Sequence, residues 1–302
     1  MSAFIAGLVF STDTQAAQKA PETPSDVVAH RDISYVSGGG ERQTLDLYIP
    51  KNANPENPMP LIIWIHGGGW SGGSKTRCFP LEKNFAKRGY AIASINYRLT
   101  KTARFPAQIE DCKAAVRWLR AHAREYNINP DRFAVWGSSA GGHLAALLGT
   151  TGHIRTFDVG ENLKTSSQVQ AVVDFYGPAD FTAKEMWEPS FDTRIKLLGG
   201  TLAEKPDVAI AASPTTYASK TAAPFSIWHG TKDARVPLLQ SQRLNDALAK
   251  AGAQTELKLV KDATHGTRDF NKDEIMDEIA AFLAKHLCQS PDKDMKNSGG
   301  LL

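Results

Sequence analysis

Cysteine is scarce in this sequence, which has three among its 302 residues, at positions 78, 112 and 288. Three thiols cannot form the disulfide framework of a small secreted domain, and none stands in the C-x-x-C spacing of zinc and redox sites. The eight histidines likewise lack H-E-x-x-H or another metal-ligand spacing. The sequence therefore predicts no metal site, and it indicates no cofactor.

A long apolar run and a clear excess of charge of one sign are also missing. No stretch approaches the roughly 20 apolar residues that a membrane-spanning helix requires. Lysine and arginine total 35 against 32 aspartates and glutamates, and the positive charges are dispersed along the chain. This balance argues against nucleic acid or an anionic membrane as a partner.

The two ends of the chain differ from the rest in composition. An apolar stretch over residues 3–10 precedes small residues around Ala16 and Ala17, as in a secretory signal, but no Lys or Arg comes before it. We expect residues 1–25 to be a signal peptide or flexible leader and the protein to be periplasmic or secreted, the alternative being a cytoplasmic protein with an unusual leader. The polar tail over residues 289–302 is predicted to be disordered.

Between these ends, apolar runs typical of strands alternate with helical patterns. A hairpin is predicted over residues 32–36 and 43–50, because apolar and polar residues alternate on both sides of a Gly-rich turn. Six further runs are rich in β-forming residues, as in strands buried on both faces, at 61–66, 90–97, 133–137, 169–177, 224–230 and 256–262. Apolar spacings of three and four predict helices at about 108–123, 140–148, 238–250 and 273–287.

This alternation predicts an α/β fold in one domain over residues 30–288. The expected architecture is a mostly parallel eight-stranded sheet with helices on both faces and functional loops at the carboxyl ends of the strands. Residues 178–222 separate two predicted strands by more than a simple crossover needs. We expect this segment to form a small helical insertion over the sheet.

A candidate nucleophile follows the predicted strand at 133–137. The sequence there reads Gly137-Ser138-Ser139-Ala140-Gly141, the G-x-S-x-G pattern in which a strand turns sharply into a helix and the central serine projects from the turn. A strand before the pattern and a helix after it are both predicted. These features make Ser139 the candidate nucleophile.

A serine nucleophile requires a base that accepts its proton and an acid that holds the base in one tautomer. In sheets of this kind, the acid and then the base follow the serine in chain order, each on a loop after a strand. Asp233 and His265 occupy such loops, and the only other histidine after Asp233 is His286, near the end of a helix. Asp233 is therefore the candidate acid and His265 the candidate base.

Other residues compete for these two roles. Asp174 lies within a predicted strand, and Asp262 is three residues from His265 on the same loop. His143 lies in the helix after the serine, and His229 lies at a strand end. We expect both of these histidines to be structural.

Three glycines follow the predicted strand at 61–66. Bare backbone lets amide donors approach a developing oxyanion, so we expect an oxyanion hole formed by the N–H groups of Gly68, Gly69 and Ala140. The alternative is a phosphate-binding loop, but the sequence contains neither G-x-x-x-x-G-K-[ST] nor a dinucleotide pattern. His66 is expected to anchor the loop by hydrogen bonding.

Four motifs, "HGGGW", "GSSAGGH", "HGTKDARVP" and "THG", occur in this order. Together they resemble α/β-hydrolase fold carboxylesterases related to the hormone-sensitive lipase group. The stretch from "INYRL" through "GSSAGGHLAALLG" is most similar to the bacterial acetyl-esterase and feruloyl-esterase-like (BD-FAE) branch, which includes secreted enzymes that act on acylated plant polysaccharides. Larger relatives carry a long N-terminal cap, whereas about thirty residues precede the first predicted strand here.

The resemblance implies a serine carboxylesterase that hydrolyses short-chain acyl esters, in small molecules or attached to polysaccharide, through an acyl-enzyme and without a cofactor. An amidase, formamidase or peptidase on the same fold is the alternative within catalysis. A non-catalytic binding protein is the alternative from another class. The absence of a long cap implies a more open pocket than in lipases of long acyl chains.

Two further expectations concern the surroundings of the site. Trp70, Trp187 and Phe191 are expected to line the substrate pocket, with ordinary core packing as the alternative. In an exported protein we expect a disulfide between Cys78 and Cys112, because the loop after the three glycines and the start of the helix after the strand at 90–97 are expected to lie on the same face of the sheet. The alternative is that both are buried free thiols.

Overall fold

An eight-stranded sheet forms the centre of the protein. The computed structural model describes residues 22–183 and 193–287. The strands are β1 (Val27–Ser34), β2 (Thr44–Pro50), β3 (Met59–Ile65), β4 (Ala91–Ile95), β5 (Ile128–Ser138), β6 (Ala171–Phe175), β7 (Phe225–Gly230) and β8 (Thr255–Val260). Their order in the sheet is β1-β2-β4-β3-β5-β6-β7-β8. The first two pairings are antiparallel and the rest are parallel, so the carboxyl ends of β3 to β8 meet at one edge.

Helices connect the strands and cover the sheet. They are α1 (Phe79–Glu82), α2 (Ala107–Ala121), α3 (Ala140–Thr151), α4 (Arg194–Leu198), α5 (Pro206–Ala212), α6 (Leu238–Lys250) and α7 (Asp273–Leu287). None of the helices within the described ranges combines the length and apolar character needed to cross a membrane.

Strand side chains alternate between two cores, one on each face of the sheet. In β3, Ile63 and Ile65 belong to one apolar cluster, and Ile62 and Trp64 belong to the other. Helices α2, α3 and α6 contribute their buried residues to the first cluster, and α1 and α7 contribute theirs to the second. The predicted α/β fold with helices on both faces is therefore confirmed.

The predicted disulfide is wrong. Cys78 and Cys112 are free thiols. Cys78 belongs to the cluster that contains Trp64, whereas Cys112 belongs to the cluster that contains Ile63. Because the sheet lies between the two sulfur atoms, no bridge can form without a rearrangement of the core. Burial raises the pKa of the Cys78 thiol to about 12.

The first strand begins and ends earlier than the sequence pattern predicts. It covers Val27–Ser34 rather than residues 32–36, and it pairs with β2 along its length. A register shift lies between His30 and Ile33, and Asp32 between them has φ of 56°. This irregularity interrupts the period-two alternation on which a strand prediction depends.

The segment between β6 and β7 contains α4, α5 and a 3-10 turn over Pro214–Tyr217. Ala209 and Ala212 of α5 are buried in the first apolar cluster, so this part of the segment packs on the sheet. The predicted pocket residues Trp187 and Phe191 lie outside the described residues. So do the predicted tail and most of the predicted leader.

Candidate active site

Ser139 lies on the turn between β5 and α3, with φ of 55° and ψ of −120°. A residue other than glycine rarely adopts a positive φ, and such strain concentrates at functional sites. The flanking glycines make the turn possible. A Cβ atom on Gly137 would collide with the carbonyl of Gly141, and one on Gly141 would collide with the carbonyl of Ile65. The G-x-S-x-G pattern is therefore a steric requirement of this turn.

A continuous chain of hydrogen bonds joins the three residues predicted as nucleophile, base and acid. Nε2 of His265 lies 2.9 Å from Oγ of Ser139, and Nδ1 of His265 lies 2.7 Å from Oδ2 of Asp233. His265 is on the loop after β8 and Asp233 is on the loop after β7. The imidazole keeps 12% of its side-chain surface exposed, whereas the carboxylate is fully buried.

The second oxygen of the Asp233 carboxylate is held by backbone. Oδ1 accepts hydrogen bonds from the N–H groups of Arg235 at 2.8 Å and Val236 at 2.9 Å. Burial alone would raise the pKa of Asp233, but hydrogen bonds from His229 and His265 and from the Val236 amide hold it well below the ordinary range. Asp233 is therefore ionised at neutral pH and can accept a hydrogen bond from Nδ1–H of His265.

The competing acids are placed differently. Asp174 is fully buried, and its Oδ1 accepts the N–H of Gly177 at 2.9 Å, whereas its Oδ2 has no partner among the described residues. Burial raises the pKa of Asp174 to about 7. Asp262 is exposed and pairs with Lys232 at 2.9 Å. Neither carboxylate contacts His265 in the described hydrogen bonds.

The competing histidines make structural hydrogen bonds. His143 accepts a bond from the indole N–H of Trp70 at 3.1 Å through Nδ1, and its Nε2 lies 2.7 Å from the carbonyl of Ala212. Burial lowers the pKa of His143 to about 4. His229 lies beneath Asp233, with Nδ1 2.7 Å from Oγ of Ser241 and Nε2 3.5 Å from Oδ2 of Asp233. It therefore supports the acid rather than the serine.

The glycine loop after β3 lies against the serine. A Cβ atom on Gly67 would come within 3.4 Å of Cβ of Ser139. Gly68 and Gly69 have φ of 120° and 57°, backbone conformations that favour glycine. The N–H groups of Gly68, Gly69 and Ala140 have no hydrogen-bond partner among the described residues. These three donors are therefore available to a ligand beside Ser139.

His66 fixes the start of this glycine loop. Its Nδ1 lies 2.8 Å from the carbonyl of Gly67, and its Nε2 lies 3.1 Å from a guanidinium nitrogen of Arg42. The hydroxyl of Tyr97 donates to the His66 carbonyl at 3.0 Å, and the two rings are stacked. Burial lowers the pKa of His66 to about 3, so the ring is neutral.

A cavity of about 410 Å³ opens above these groups. Its walls are formed by Gly67, Gly68, Gly69, Trp70, Ser138, Ser139, Ala140, Tyr176, Pro178, Thr193, Arg235, Val236, His265, Gly266 and Thr267. Trp70 is 2% exposed and held through its indole N–H, so it forms a fixed wall. Within the described ranges, no group of three or more His, Cys, Asp or Glu side chains is arranged to hold a metal ion.

Sequence reasoning missed Tyr176 in this cavity. Its φ is 44°, and its ring packs against the ring of His265 with centroids 4.7 Å apart. Tyr176 directly follows β6, at the edge of the sheet where the other site residues lie. That position was a usable signal, but an aromatic residue at the end of an apolar run also matches ordinary core packing.

This strand order, with a serine on the turn after β5 hydrogen-bonded to a histidine after β8, defines an α/β-hydrolase. A cavity large enough for a small substrate lies above that serine. The chain belongs to the BD-FAE family, whose model matches residues 45–248. The family predicted from the sequence motifs is therefore confirmed.

Known proteins resemble this chain over most of its length. Esterase LipQ of Mycobacterium tuberculosis is 34% identical over 230 residues, which cover 74% of this chain and 53% of LipQ. This chain therefore spans about half the length of that relative. A solved structure described as a truncated form of carbohydrate esterase from gut microbiota is 30% identical, with a TM-score of 0.82, over 90% of this chain and 100% of the other.

A second solved structure is esterase Est2 of the planctomycete Thermogutta terrifontis. It is 26% identical, with a TM-score of 0.72, over 91% of this chain and 97% of Est2. Structures of Est2 with propionate bound, with butyrate bound and phosphorylated by paraoxon have TM-scores of 0.71, 0.68 and 0.71 to this chain.

Proposed function

We propose that this chain is a serine carboxylesterase with Ser139 as nucleophile, His265 as general base and Asp233 as the acid that orients the base. The hydrogen-bonded chain from Ser139 through His265 to Asp233, at 2.9 and 2.7 Å, carries this proposal. The esterase names of the relatives support the same reaction class.

In the proposed reaction, Oγ of Ser139 attacks the ester carbonyl while Nε2 of His265 accepts the hydroxyl proton. The carbonyl oxygen becomes an oxyanion, which accepts hydrogen bonds from the N–H groups of Gly68, Gly69 and Ala140. His265 then donates the proton to the leaving alcohol as the C–O bond breaks. Water, deprotonated by His265, then attacks the acyl-enzyme. As the bond between the acyl carbon and Oγ breaks, His265 returns the proton to Oγ of Ser139 and the carboxylic acid is released.

Asp233 contributes through the tautomer of the base. Its ionised Oδ2 accepts a hydrogen bond from Nδ1–H of His265, which leaves the lone pair of Nε2 directed at Ser139. The buried carboxylate also stabilises the imidazolium that forms during attack. Its two backbone donors fix the orientation of the carboxylate, and therefore that of the ring.

The proposed substrates are short-chain acyl esters, including acetylated or feruloylated plant polysaccharide. The fixed Trp70 wall beside the oxyanion loop favours a short acyl group. The carbohydrate esterase and the propionate- and butyrate-bound Est2 structures support this substrate class. A polysaccharide substrate also favours the periplasmic or secreted location.

Steady-state kinetics on a panel of esters tests this proposal. Acetyl and butyryl esters should give the highest kcat/KM, and octanoyl esters should lose at least about tenfold, or roughly 1.4 kcal/mol, because added methylenes overpack the wall. Turnover of a feruloyl ester tests for feruloyl esterase activity. Turnover of an acetanilide, compared with that of the corresponding phenyl acetate, tests for amidase activity. Ser139→Ala should abolish turnover, while Ser219→Ala, a serine near the opposite ends of the strands, should retain it.

The proposal fails if Ser139→Ala turns over esters at a rate near that of the unmodified protein. A preference for decanoyl or longer esters would contradict the short-acyl assignment alone. Circular dichroism of each variant checks that the fold is retained. We expect the fold of Ser139→Ala to be retained, because Ser139 contributes no core packing.

A further inference from the structure

A second cleft lies beside the glycine loop and is lined by none of the residues assigned to the reaction. Its volume is about 370 Å³. The side chains that line it are Ser71, Thr100, Lys101, Arg104, Ile195 and Lys196. Hydroxyl groups, cationic groups and one apolar side chain therefore share one concave surface.

The cleft is cationic. No acidic side chain is among its described lining residues, and Lys101, Arg104 and Lys196 form no ion pair within residues 22–183 and 193–287. Glu204 lies near its edge, since its Oε2 would lie 3.0 Å from a Cβ atom on Gly200. That oxygen already accepts hydrogen bonds from the N–H and Oγ1 of Thr201 at 2.8 and 2.9 Å.

Arg104 is held in place by the backbone on the other side of the cleft. Gly199 ends α4 with φ of 82°, and a Cβ atom there would lie 2.7 Å from Cδ of Arg104. The N–H of Phe105 donates to the carbonyl of Leu197 at 3.0 Å and joins the two segments. The arginine stem therefore lies directly on a glycine backbone, which limits its freedom before any ligand binds.

The cleft and the reaction cavity are adjacent. Trp70 lines the cavity and the next residue, Ser71, lines the cleft. Thr193 lines the cavity and Ile195, two residues further along the chain, lines the cleft. The N–H of Thr100 donates to the Trp70 carbonyl at 2.8 Å. Because consecutive Cα atoms are about 3.8 Å apart, the two linings come within about 8 Å of each other along both segments.

We infer that this cleft, defined by Lys101, Arg104 and Lys196, binds an anionic group of the ester substrate, for which a carboxylate is the simplest form. The inference rests on the proposed esterase function and names a substrate class for the same site: esters that carry a carboxylate remote from the scissile bond, as in uronate-containing carbohydrates. Ile195, 48% exposed at the edge, offers an apolar contact for the atoms between the two groups.

Matched pairs of esters test the inference. In each pair a remote carboxylate is replaced by a neutral carboxamide, on the alcohol side (4-acetoxybenzoate against 4-acetoxybenzamide) or on the acyl side (monoethyl glutarate against its amide). The carboxylate member of at least one pair should have a kcat/KM about three- to tenfold higher at low ionic strength, since exposed charge pairs contribute modestly. The ratio should fall toward one in 0.5 M NaCl, because salt screens such pairs.

The triple variant Lys101→Gln/Arg104→Gln/Lys196→Gln removes all three charges and leaves the residues that line the reaction cavity unchanged. Its kcat/KM on the neutral member of each pair should stay within about twofold of the unmodified protein. Its preference for the carboxylate member should drop to about one. Lys87→Gln, which removes an exposed lysine on the opposite face of the sheet, is the matched control and should keep the full preference.

The outcomes separate the two proposals. If the neutral esters are not hydrolysed at all, the esterase function itself is wrong. If they are hydrolysed but neither pair favours the carboxylate, the cleft does not bind the anionic group and the inference is overturned. A preference that persists in the triple variant overturns it as well, because the cations responsible would then lie elsewhere.

Discussion

Two buried aspartates lie near the carboxyl ends of neighbouring strands, and their surroundings move their pKa values in opposite directions. Asp233 has two backbone donors and two histidines around its carboxylate, and its pKa is held well below the ordinary range. Asp174 has one backbone donor, and burial raises its pKa from 3.8 to about 7. Only Asp233 is ionised through the whole neutral range, as an orienting acid requires.

Replacing each aspartate by asparagine should therefore have different effects. Asp233→Asn should lower kcat by about 10² to 10⁴-fold, because an asparagine can hold His265 in the wrong tautomer. Asp174→Asn should keep kcat within about threefold, because that side chain does not contact His265. Steady-state assays of both variants on an acetyl ester measure this contrast, and an unaffected Asp233→Asn variant would contradict the assigned acid.

Asp174→Asn should also change how stability depends on pH. A carboxyl group with a raised folded-state pKa contributes stability that is present below the unfolded pKa of about 3.9 and is lost as pH rises toward 7. The Asp174→Asn variant has no carboxyl group there and lacks this loss. The free energy of unfolding of the variant minus that of the unmodified protein should therefore increase between pH 5 and 7, by up to about 1.4 kcal/mol per pH unit. Urea unfolding at pH 5, 6 and 7 tests the slope, with Asp207→Asn as an exposed control; a flat difference would contradict it.

At the scale of elements, two backbone segments meet at the site: the glycine loop after β3 and the turn between β5 and α3. Their positions are set by close backbone contacts, such as the one between Gly141 and the end of β3. Gly69 contacts a third element, because a Cβ atom there would lie 2.9 Å from Cγ2 of Thr193. The positions of the proposed oxyanion donors therefore depend on the contacts that hold this glycine loop in place.

Gly69→Ala should displace the loop and lower kcat by about tenfold or more, since loss of one oxyanion donor costs roughly 10²- to 10³-fold. Gly38→Ala is the matched control, because Gly38 also has positive φ, 69°, but an added Cβ meets nothing within 4 Å. Gly69→Ala/Thr193→Ser removes the clashing methyl and should recover part of the lost kcat. Equal kcat for Gly69→Ala and Gly38→Ala would show that the loop does not hold a reacting group.

The elements differed in how well the sequence predicted them. Helices α6 and α7 have the predicted bounds, 238–250 and 273–287, because their apolar spacing is regular and they end near turns. β1 was misplaced because the bulge at Asp32 breaks its alternation. The roles of Gly67 and Tyr176 were not predictable from local pattern, because each depends on contacts with Ser139 and His265 that form only in the folded chain.

At the scale of the whole molecule, the sheet order brings distant parts of the chain together. β4 lies between β2 and β3, and β5 pairs with β3, an arrangement that no local pattern specifies. The expectation that functional loops share the carboxyl edge, together with the G-x-S-x-G pattern and the chain order of acid and base, was sufficient to select Ser139, Asp233 and His265 as neighbours. It was not sufficient to place Cys78 and Cys112, because their separation depends on which face each segment covers.

The most direct test of the central claim is covalent labelling by paraoxon, followed by intact-protein and peptide mass spectrometry. The account predicts one diethylphosphoryl group per chain, attached to Oγ of Ser139, with release of one equivalent of 4-nitrophenolate. Ser139→Ala should remain unlabelled under the same conditions. A label on any other residue, or an unlabelled wild-type chain that still hydrolyses esters, would contradict a Ser139 acyl-enzyme mechanism.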